Sequence, residues 1–192
     1  MPSSEVSRWA LLFADLEAQM VAEEAAERDG AVAELTRAEQ ATVVLADRLR
    51  AGGAHTLRVE LRDGEMLDGR PVHVASTWFQ LDGARAGGHS HIGHAPLGRT
   101  QHLVPFAALA SIQGLGLHAA PSTSRADALG LGRALRGLQR DRARVQVRTA
   151  AGTTLGRIAR VGADHLDVEE TERARPAGRV VPFAALLRVS EA

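Results

Sequence analysis

The sequence contains no cysteine, no lysine and no tyrosine, and aromatic residues make up only 3% of it. The absence of cysteine excludes disulfides, thiolate catalysis and cysteine-ligated zinc. The absence of lysine excludes a Walker-type phosphate loop and Schiff-base or pyridoxal-phosphate chemistry, which all depend on an amine side chain. All 23 basic residues are therefore arginines. With so few aromatic residues, the core must consist mainly of valine, leucine and alanine.

No apolar run approaches the length of about 20 residues that a membrane span needs, and the first residues lack the pattern of a secretory signal. We therefore expect a cytoplasmic protein. The chain has 192 residues, of which 45% are hydrophobic and 24% are charged. These values are ordinary for a globular protein, and the length allows one domain or two small ones.

The most informative positive feature is an internal repeat. The segment Val-Pro-Phe-Ala-Ala-Leu occurs at Val104–Leu109 and again at Val181–Leu186, and similar residues follow both copies. An identity of this length in a short chain indicates a duplicated structural unit. Within the first copy, Trp78 and Phe79 are expected in the core, although one of them is also suited to anchor a partner.

Upstream of each repeated segment, apolar and polar residues alternate with the period of a β-strand. In the first copy, Leu57, Val59 and Leu61 alternate with charged residues before a turn at Asp63-Gly64. The second copy repeats this pattern before Ala151-Gly152. In each copy the proline of the repeated segment cannot donate to a sheet ladder. It is therefore expected to end one strand and to begin a single turn before the last strand.

Residues 4 to about 50 have the spacing of an amphipathic helix. Trp9, Phe13, Leu16 and Met20 form one apolar stripe at helical spacing. A second stripe follows at alternating spacings of three and four residues and consists of Leu35, Ala38, Thr42, Leu45 and Leu49. Asp29-Gly30 lies between the stripes, so the segment is either one long helix or an antiparallel helical pair. The stripes either pack on the body of the protein or form a coiled coil with a second chain.

The repeated unit resembles the Sm-like family of small β-barrels, which includes a bacterial RNA chaperone. The first signature is carried by Leu57-x-Val59-x-Leu61-x-Asp63-Gly64-x-x-Leu67-x-Gly69, and the closing signature is similar to Val104–Ile112. The second copy has the first signature one residue shorter, and the resemblance covers roughly 57–112 and 145–189. The layout is also similar to that of an actinobacterial protein family.

The resemblance implies an α+β protein. An N-terminal long helix or helical hairpin would be followed by two tandem Sm-like five-stranded small β-barrels joined by a short helix. The expected boundaries are 1–50 for the helical segment, 51–118 for the first barrel, 119–140 for the linker helix and 141–192 for the second barrel. In the linker, the pattern of leucines predicts that the helix itself runs from Ala126 to Arg140.

The RNA pocket of the family does not carry over to this sequence. The aspartate expected after the central strand is replaced by Ala75 in the first copy and by Gly162 in the second. The positions of the pocket's Tyr-Lys-His are held by Pro105-Phe106-Ala107 and Pro182-Phe183-Ala184. The resemblance therefore implies a fold and leaves any contact with nucleic acid to other residues.

Charge is distributed unevenly along the chain. Residues 1–50 hold ten acidic residues against five arginines, whereas residues 123–148 hold seven arginines against two aspartates. Arginines at helical spacing suit contacts to phosphates, and the candidates for nucleic-acid binding are Arg133, Arg136, Arg140, Arg142 and Arg144. Aromatic residues are not interleaved with them, so base stacking is not expected. The alternative is that the basic segment neutralises the acidic N-terminal helix.

The first copy also carries an insertion rich in glycine and histidine. His89, His91 and His94, together with His102, have the side chains that zinc, copper or nickel would need. A glycine-rich insertion without an acidic ligand is equally typical of a surface loop. No nucleophile, base and orienting acid come together in the sequence. We therefore expect no catalysis, no metal and no cofactor.

Two functions remain open at this point. The first is a non-enzymatic binding protein associated with RNA or DNA, with a regulatory role as one form of it. The second is a protein–protein adaptor or assembly scaffold that uses the N-terminal helix and the barrel edges, because exposed strand edges tend to pair. Either a protein partner or self-association through the N-terminal helix fits the second function. No membrane partner and no small-molecule substrate are expected.

Overall fold

The computed structural model describes residues 8–84, 99–170 and 178–192. The chain divides into two compact units, Met1–Val43 and Val44–Ala192. The first unit holds helix α1, Arg8–Thr42, and the second begins with the short helix α2, Leu45–Ala51. All the strands in the described residues belong to the second unit, so the protein is of the α+β class.

Helix α1 is continuous through Asp29-Gly30, where the sequence suggested a bend or a break. The helical segment is interrupted instead at Val43-Val44, and the extended backbone of Val44 precedes α2. No residue of α1 is buried, and its charged side chains pair along its own surface, as in Arg28 with Glu24. None of the helices in the described ranges combines the length and the apolarity needed to cross a membrane.

In its described residues, the second unit contains two successive sets of five strands. The first set comprises β1 Leu57–Leu61, β2 Met66–Val74, β3 Trp78–Ala84, β4 Arg99–Pro105 and β5 Leu109–Gln113. The second set comprises β6 Arg144–Thr149, β7 Gly152–Val161, β8 His165–Glu170, β9 Gly178–Pro182 and β10 Leu186–Glu191. Between the sets lie a 3-10 turn, Arg125–Ala128, and helix α3, Leu131–Arg140. In each set a 3-10 turn follows the proline that ends the fourth strand, as the sequence predicted.

The two sets have the same strand registers, which confirms the duplication. In the first, Gly69 pairs with Gly83 across β2 and β3; in the second, the equivalent Gly156 pairs with Glu170 across β7 and β8. The irregularity in the ladder between the last strand and the first also recurs at matching places. The alternation of apolar and polar residues fixes such registers, because a slip by one residue would turn the buried side chains outward.

The prediction of two separate five-stranded barrels is wrong. The ten strands that the structure describes form one open antiparallel sheet in the order β5-β1-β2-β3-β4-β10-β6-β7-β8-β9. The two sets are joined by β4 and β10, where Leu103 pairs with Val189 and His102 with Ser190. Within the described residues, β5 pairs only with β1, so the first set does not close on itself. The fourth strand instead satisfies its outer edge with the last strand of the other set.

The packing of the core explains why the sets do not separate. One hydrophobic cluster is formed mainly by the first set but includes Leu187 of β10. The other is formed mainly by the second set but includes Trp78 and Leu103 of the first. Trp78 and Phe79 are both buried, so the prediction that both belong to the core is confirmed. Each set therefore buries side chains of the other, and one continuous sheet is the result.

A cluster of ion pairs, which we call the junction cluster, crosses from one set to the other. Arg188 of β10 donates from Nη2 to Glu65 Oε1 at 2.8 Å and from Nε to Glu65 Oε2 at 3.0 Å. Arg148 of β6 donates from Nε to Asp63 Oδ2 at 2.8 Å. The second set has Ala151 and Gly152 in the turn that corresponds to Asp63 and Glu65. These carboxylates are therefore particular to the first set, and the cluster joins the turn between β1 and β2 to β6 and β10.

The junction cluster makes stability sensitive to acid. Burial alone would raise the pKa of Asp63, but the hydrogen bonds from Arg148 and from the Glu65 backbone, with the arginine's charge, hold that pKa below its ordinary value. A lowered folded-state pKa adds stability above the unfolded pKa, near pH 4, which is lost as pH falls through the folded value. We expect the urea midpoint of Asp63→Asn to depend less on pH below about 4 than that of the wild type. Equal pH dependence of the two proteins would contradict this assignment.

Candidate nucleic-acid interface

Helix α3 carries the basic segment and is shorter than the sequence predicted. The chain forms a 3-10 turn over Arg125–Ala128 and becomes extended at Leu129 and Gly130, so α3 begins only at Leu131. The indole nitrogen of Trp78 donates to the carbonyl oxygen of Leu129 at 2.8 Å. This hydrogen bond fixes the extended backbone just before the helix.

The packing of α3 determines which side chains face outward. Leu135 is fully buried, and Leu131, Ala134 and Leu138 pack against the same hydrophobic cluster. The opposite face presents Arg133, Arg136 and Arg140, which are exposed and lie three and four residues apart. Two hydrogen bonds fix α3 on the sheet: Gln139 Nε2 donates to Ala159 O at 2.9 Å, and Arg136 Nη2 to Gly162 O at 3.2 Å.

Beside this face lies an open groove of about 680 Å³, which we call the arginine groove. Its lining consists of Arg136, Gln139, Arg140, Arg142, Arg157, Ile158, Ala159 and Glu169. Four of these residues are cationic at neutral pH and one is anionic. No aromatic side chain lines the groove. Such a surface attracts anions through charge and hydrogen bonds, and offers nothing on which a base would stack.

Arg142 enters the groove from a strained turn. Its φ of 50° makes it the one non-glycine residue with positive φ among those described, a conformation that costs roughly 1 kcal/mol or more for most side chains. Hydrogen bonds from Arg142 N to Gln139 O and from Ala143 N to Leu138 O close the end of α3. Strain of this kind persists only where the surrounding structure enforces it. Here it brings a third arginine beside those of the helix.

The sheet contributes a row of charges that the sequence did not reveal. Arg144 on β6 lies directly opposite Arg157 on β7, which in turn lies opposite Glu169 on β8. Like charges placed directly opposite one another are destabilising. Arg144 has an interaction partner within the chain. The side chain of Arg157 forms no hydrogen bond or ion pair with any described residue and lines the groove, where an anion would relieve the repulsion.

The five predicted arginines therefore have different places in the structure. Arg136, Arg140 and Arg142 line one groove, Arg133 lies on the same exposed face of α3, and Arg144 lies across the strand pair from Arg157. The side chains of Arg133, Arg140 and Arg142 form no ion pair or hydrogen bond with any described residue of the second unit. The sequence missed Arg157, whose position is set by the pairing of β6 and β7. The only indication of Arg157 in the sequence was the alternation of buried and exposed residues along β7, in which Arg157 is exposed after the buried Gly156.

The other candidate ligands do not form a site in the described part of the chain. His89, His91 and His94 lie outside the described residues. His102 is buried, and its Nδ1 lies 2.7 Å from the hydroxyl oxygen of Ser190 at the joint between β4 and β10. Among the residues that the structure describes, no three histidine, aspartate or glutamate side chains are grouped as a metal ion would require.

Comparisons with protein-family models and with curated proteins find no match to this chain. The Sm-like resemblance therefore rests on the quoted motifs alone, and the barrel architecture that it implied is not the one observed.

Proposed function

We propose that this protein is a non-enzymatic, nucleic-acid-associated protein that binds the phosphate backbone in its arginine groove. The observation that carries this proposal is the convergence of Arg136, Arg140, Arg142 and Arg157 on one open surface with a single carboxylate. Guanidinium groups present paired donors that match the geometry of phosphate oxygens. The proposal includes a cytoplasmic location, as expected from the sequence. A regulatory role is one form that this function could take.

The lining of the groove also supports a particular mode of binding. Contacts to phosphates position a protein on nucleic acid but carry no sequence information, which base edges or stacked bases would supply. The groove lacks aromatic side chains and holds one amide, Gln139, which already donates to a backbone carbonyl. We therefore infer binding with little sequence preference and with strong dependence on salt.

Replacing three groove arginines tests this proposal. The triple variant Arg136→Gln, Arg140→Gln, Arg142→Asn removes three positive charges, and asparagine tolerates the left-handed backbone at position 142. We expect its affinity for fluorescein-labelled single- and double-stranded RNA and DNA, measured by fluorescence anisotropy at low salt, to fall about tenfold or more.

The matched control removes the same charge elsewhere. Arg28, Arg37 and Arg70 are exposed arginines outside the groove, and Arg70 occupies the position in the first set that Arg157 occupies in the second. The triple variant Arg28→Gln, Arg37→Gln, Arg70→Gln should bind nearly as well as the wild type. An equal loss in both triple variants would mean that net charge, and not the groove, governs binding.

A second candidate function is a protein-interaction adaptor or assembly scaffold. The observation that favours it is helix α1, in which no residue is buried. Its exposed apolar side chains include Trp9, Phe13, Leu16 and Met20. Exposed apolar surface of this extent is typical of an interaction site. This candidate predicts a molecular mass above that of one chain that does not change with salt, and no absorbance of nucleic acid in the purified protein.

A further inference from the structure

An open cavity of about 550 Å³ lies where the β1–β2 turn of the first set meets the second set, and it shares no lining residue with the arginine groove. Small-molecule sites usually have volumes of roughly 300–1,000 Å³. We call it the alanine cavity, because its wall includes Ala150, Ala151, Ala184 and Ala185. The sequence predicted no small-molecule substrate, and no local pattern reveals a wall that is assembled from segments so far apart.

The wall of the alanine cavity is mainly apolar. Phe183 packs against the hydrophobic cluster of the second set, so the 3-10 turn after β9 contributes only the small side chains of its two alanines to the cavity. Val180 of β9 also lines the cavity and is 64% exposed. An apolar group bound in the cavity would remove this valine from water, which is favourable in proportion to the apolar area that is covered.

Of the three charged residues that line the cavity, two are compensated within the chain. Asp63 accepts from Arg148 Nε at 2.8 Å. Arg179 donates from Nε to Glu170 Oε1 at 3.0 Å. The third, Arg62, is exposed, and its side chain forms no hydrogen bond or ion pair with any described residue. An apolar wall beside one uncompensated guanidinium is complementary to an anion that carries an apolar body.

The backbone of Arg62 is fixed from both sets. Its N–H donates to Ala108 O of the first set at 2.9 Å. The next residue, Asp63, is held by Arg148 of β6 in the second set. The turn that carries Arg62 is therefore anchored on both sides before any ligand arrives. A site that is already formed loses little conformational freedom on binding, which favours the affinity for a small ligand.

We propose that the alanine cavity binds a small amphiphilic carboxylate, a monocarboxylate with an aliphatic chain, and that Arg62 receives its head group. The guanidinium donates to the carboxylate, and the chain lies against Val180 and the alanines. The first set does not repeat this site, because Leu103, the equivalent of Val180, pairs with Val189 of β10 and is 9% exposed. One ligand per chain is therefore expected. This site goes beyond both proposed functions, since neither requires a small ligand.

Titration of the full-length protein with octanoate, followed by the chemical shifts of its backbone amides, tests this proposal. We expect saturable binding of one octanoate per chain. Arg62→Gln should weaken that binding about fivefold, whereas 1-octanol, which has the same chain without the charge, should bind this variant and the wild type equally. Ala184→Trp fills the cavity and should weaken the binding of both ligands. Both residues are exposed, so neither change should prevent folding.

The matched controls are Arg70→Gln, at an exposed arginine outside the cavity, and Ala107→Trp, at the exposed equivalent of Ala184 in the first set. Both should bind octanoate like the wild type, and only variants that keep the wild-type unfolding midpoint are used. The triple variant of the arginine groove should also bind octanoate normally, so this site and the proposed function can fail separately. Absent or non-saturable binding, an equal loss for 1-octanol in Arg62→Gln, or wild-type binding by Ala184→Trp would each overturn the proposal.

Discussion

Glu65→Ala should destabilise the protein by about 3 kcal/mol or more, because it leaves the guanidinium of a buried arginine without its carboxylate. Arg188 is only 4% exposed, and both oxygens of Glu65 accept from it. Ser190 also accepts from Arg188, but a neutral hydroxyl cannot compensate a buried charge. The free energy of unfolding in urea, measured at neutral pH, checks this expectation.

Two further variants show whether the unpaired charge is the cause. The double variant Glu65→Leu, Arg188→Leu removes both charges and should cost less than Glu65→Ala, since apolar residues often replace a buried ion pair without loss. Asp68→Ala breaks the pair with Arg58, whose side chain is more than half exposed, and should have little effect. If Glu65→Ala is no more destabilising than Asp68→Ala, the junction cluster does not hold the two sets together.

Gly156→Ala should also destabilise strongly, by about 3 kcal/mol or more, because β7 and β8 approach too closely to admit a side chain. A Cβ at position 156 would lie 2.2 Å from the carbonyl oxygen of Glu169. The Cβ is held rigidly by its own backbone and the obstructing oxygen belongs to the backbone of β8, so the strands would have to separate to relieve the overlap. The equivalent Gly69 has the same constraint, with a Cβ 2.8 Å from Asp82 O. Thermal unfolding of Gly156→Ala should therefore show a clearly lower midpoint.

The matched control for this prediction is Gly137→Ala in α3. A Cβ at Gly137 meets nothing within 4 Å, and alanine is favoured over glycine inside a helix by roughly 0.5–1 kcal/mol. The same substitution should thus stabilise at one site and destabilise at the other. A wild-type midpoint for Gly156→Ala would show that the strands separate easily at this point.

The sequence predicted the features of the fold that depend on local patterns. The repeat at Val104–Leu109 and Val181–Leu186 gave the correct equivalences, because identical residues impose identical registers on both sets. The prolines gave the ends of β4 and β9 correctly, since a residue without an N–H cannot continue a ladder. These patterns depend on a few neighbouring residues, so the strands and turns that they specify can be predicted without knowledge of the rest of the chain.

Features that depend on distant pairing could not be predicted in this way. Nothing in the residues of β4 or β10 indicates that His102 pairs with Ser190, 88 positions further along the chain. The implied closure of each set into its own barrel was wrong for this reason. The sequence left open whether the N-terminal segment is one long helix or a helical pair; α1 runs through Asp29-Gly30, and the helical segment is interrupted at the β-branched pair Val43-Val44. β-branched residues lose side-chain freedom in a helix.

In the candidate site too, the sequence predicted what depends on local spacing and missed what depends on tertiary structure. The spacing of Arg133, Arg136 and Arg140 predicted one exposed face, and the structure has them exposed on α3. The strained backbone of Arg142 and the contribution of Arg157 follow from the turn after α3 and from the pairing of β7 with its neighbours. The sequence did not indicate the first, and for the second its only signal was the alternation of β7. The groove is therefore a product of the tertiary fold, built around a helix that the sequence did indicate.

The most direct test of the proposed function is the salt dependence of binding to labelled nucleic acid. If three or four phosphates are neutralised in the arginine groove, the logarithm of the association constant should fall linearly with the logarithm of the salt concentration. The slope should be about −2 to −3.5, since each phosphate contact contributes about 0.7 on a single strand and 0.9 on B-DNA. A slope near zero, or no detectable binding at low salt, would contradict the proposal and leave the adaptor as the better account.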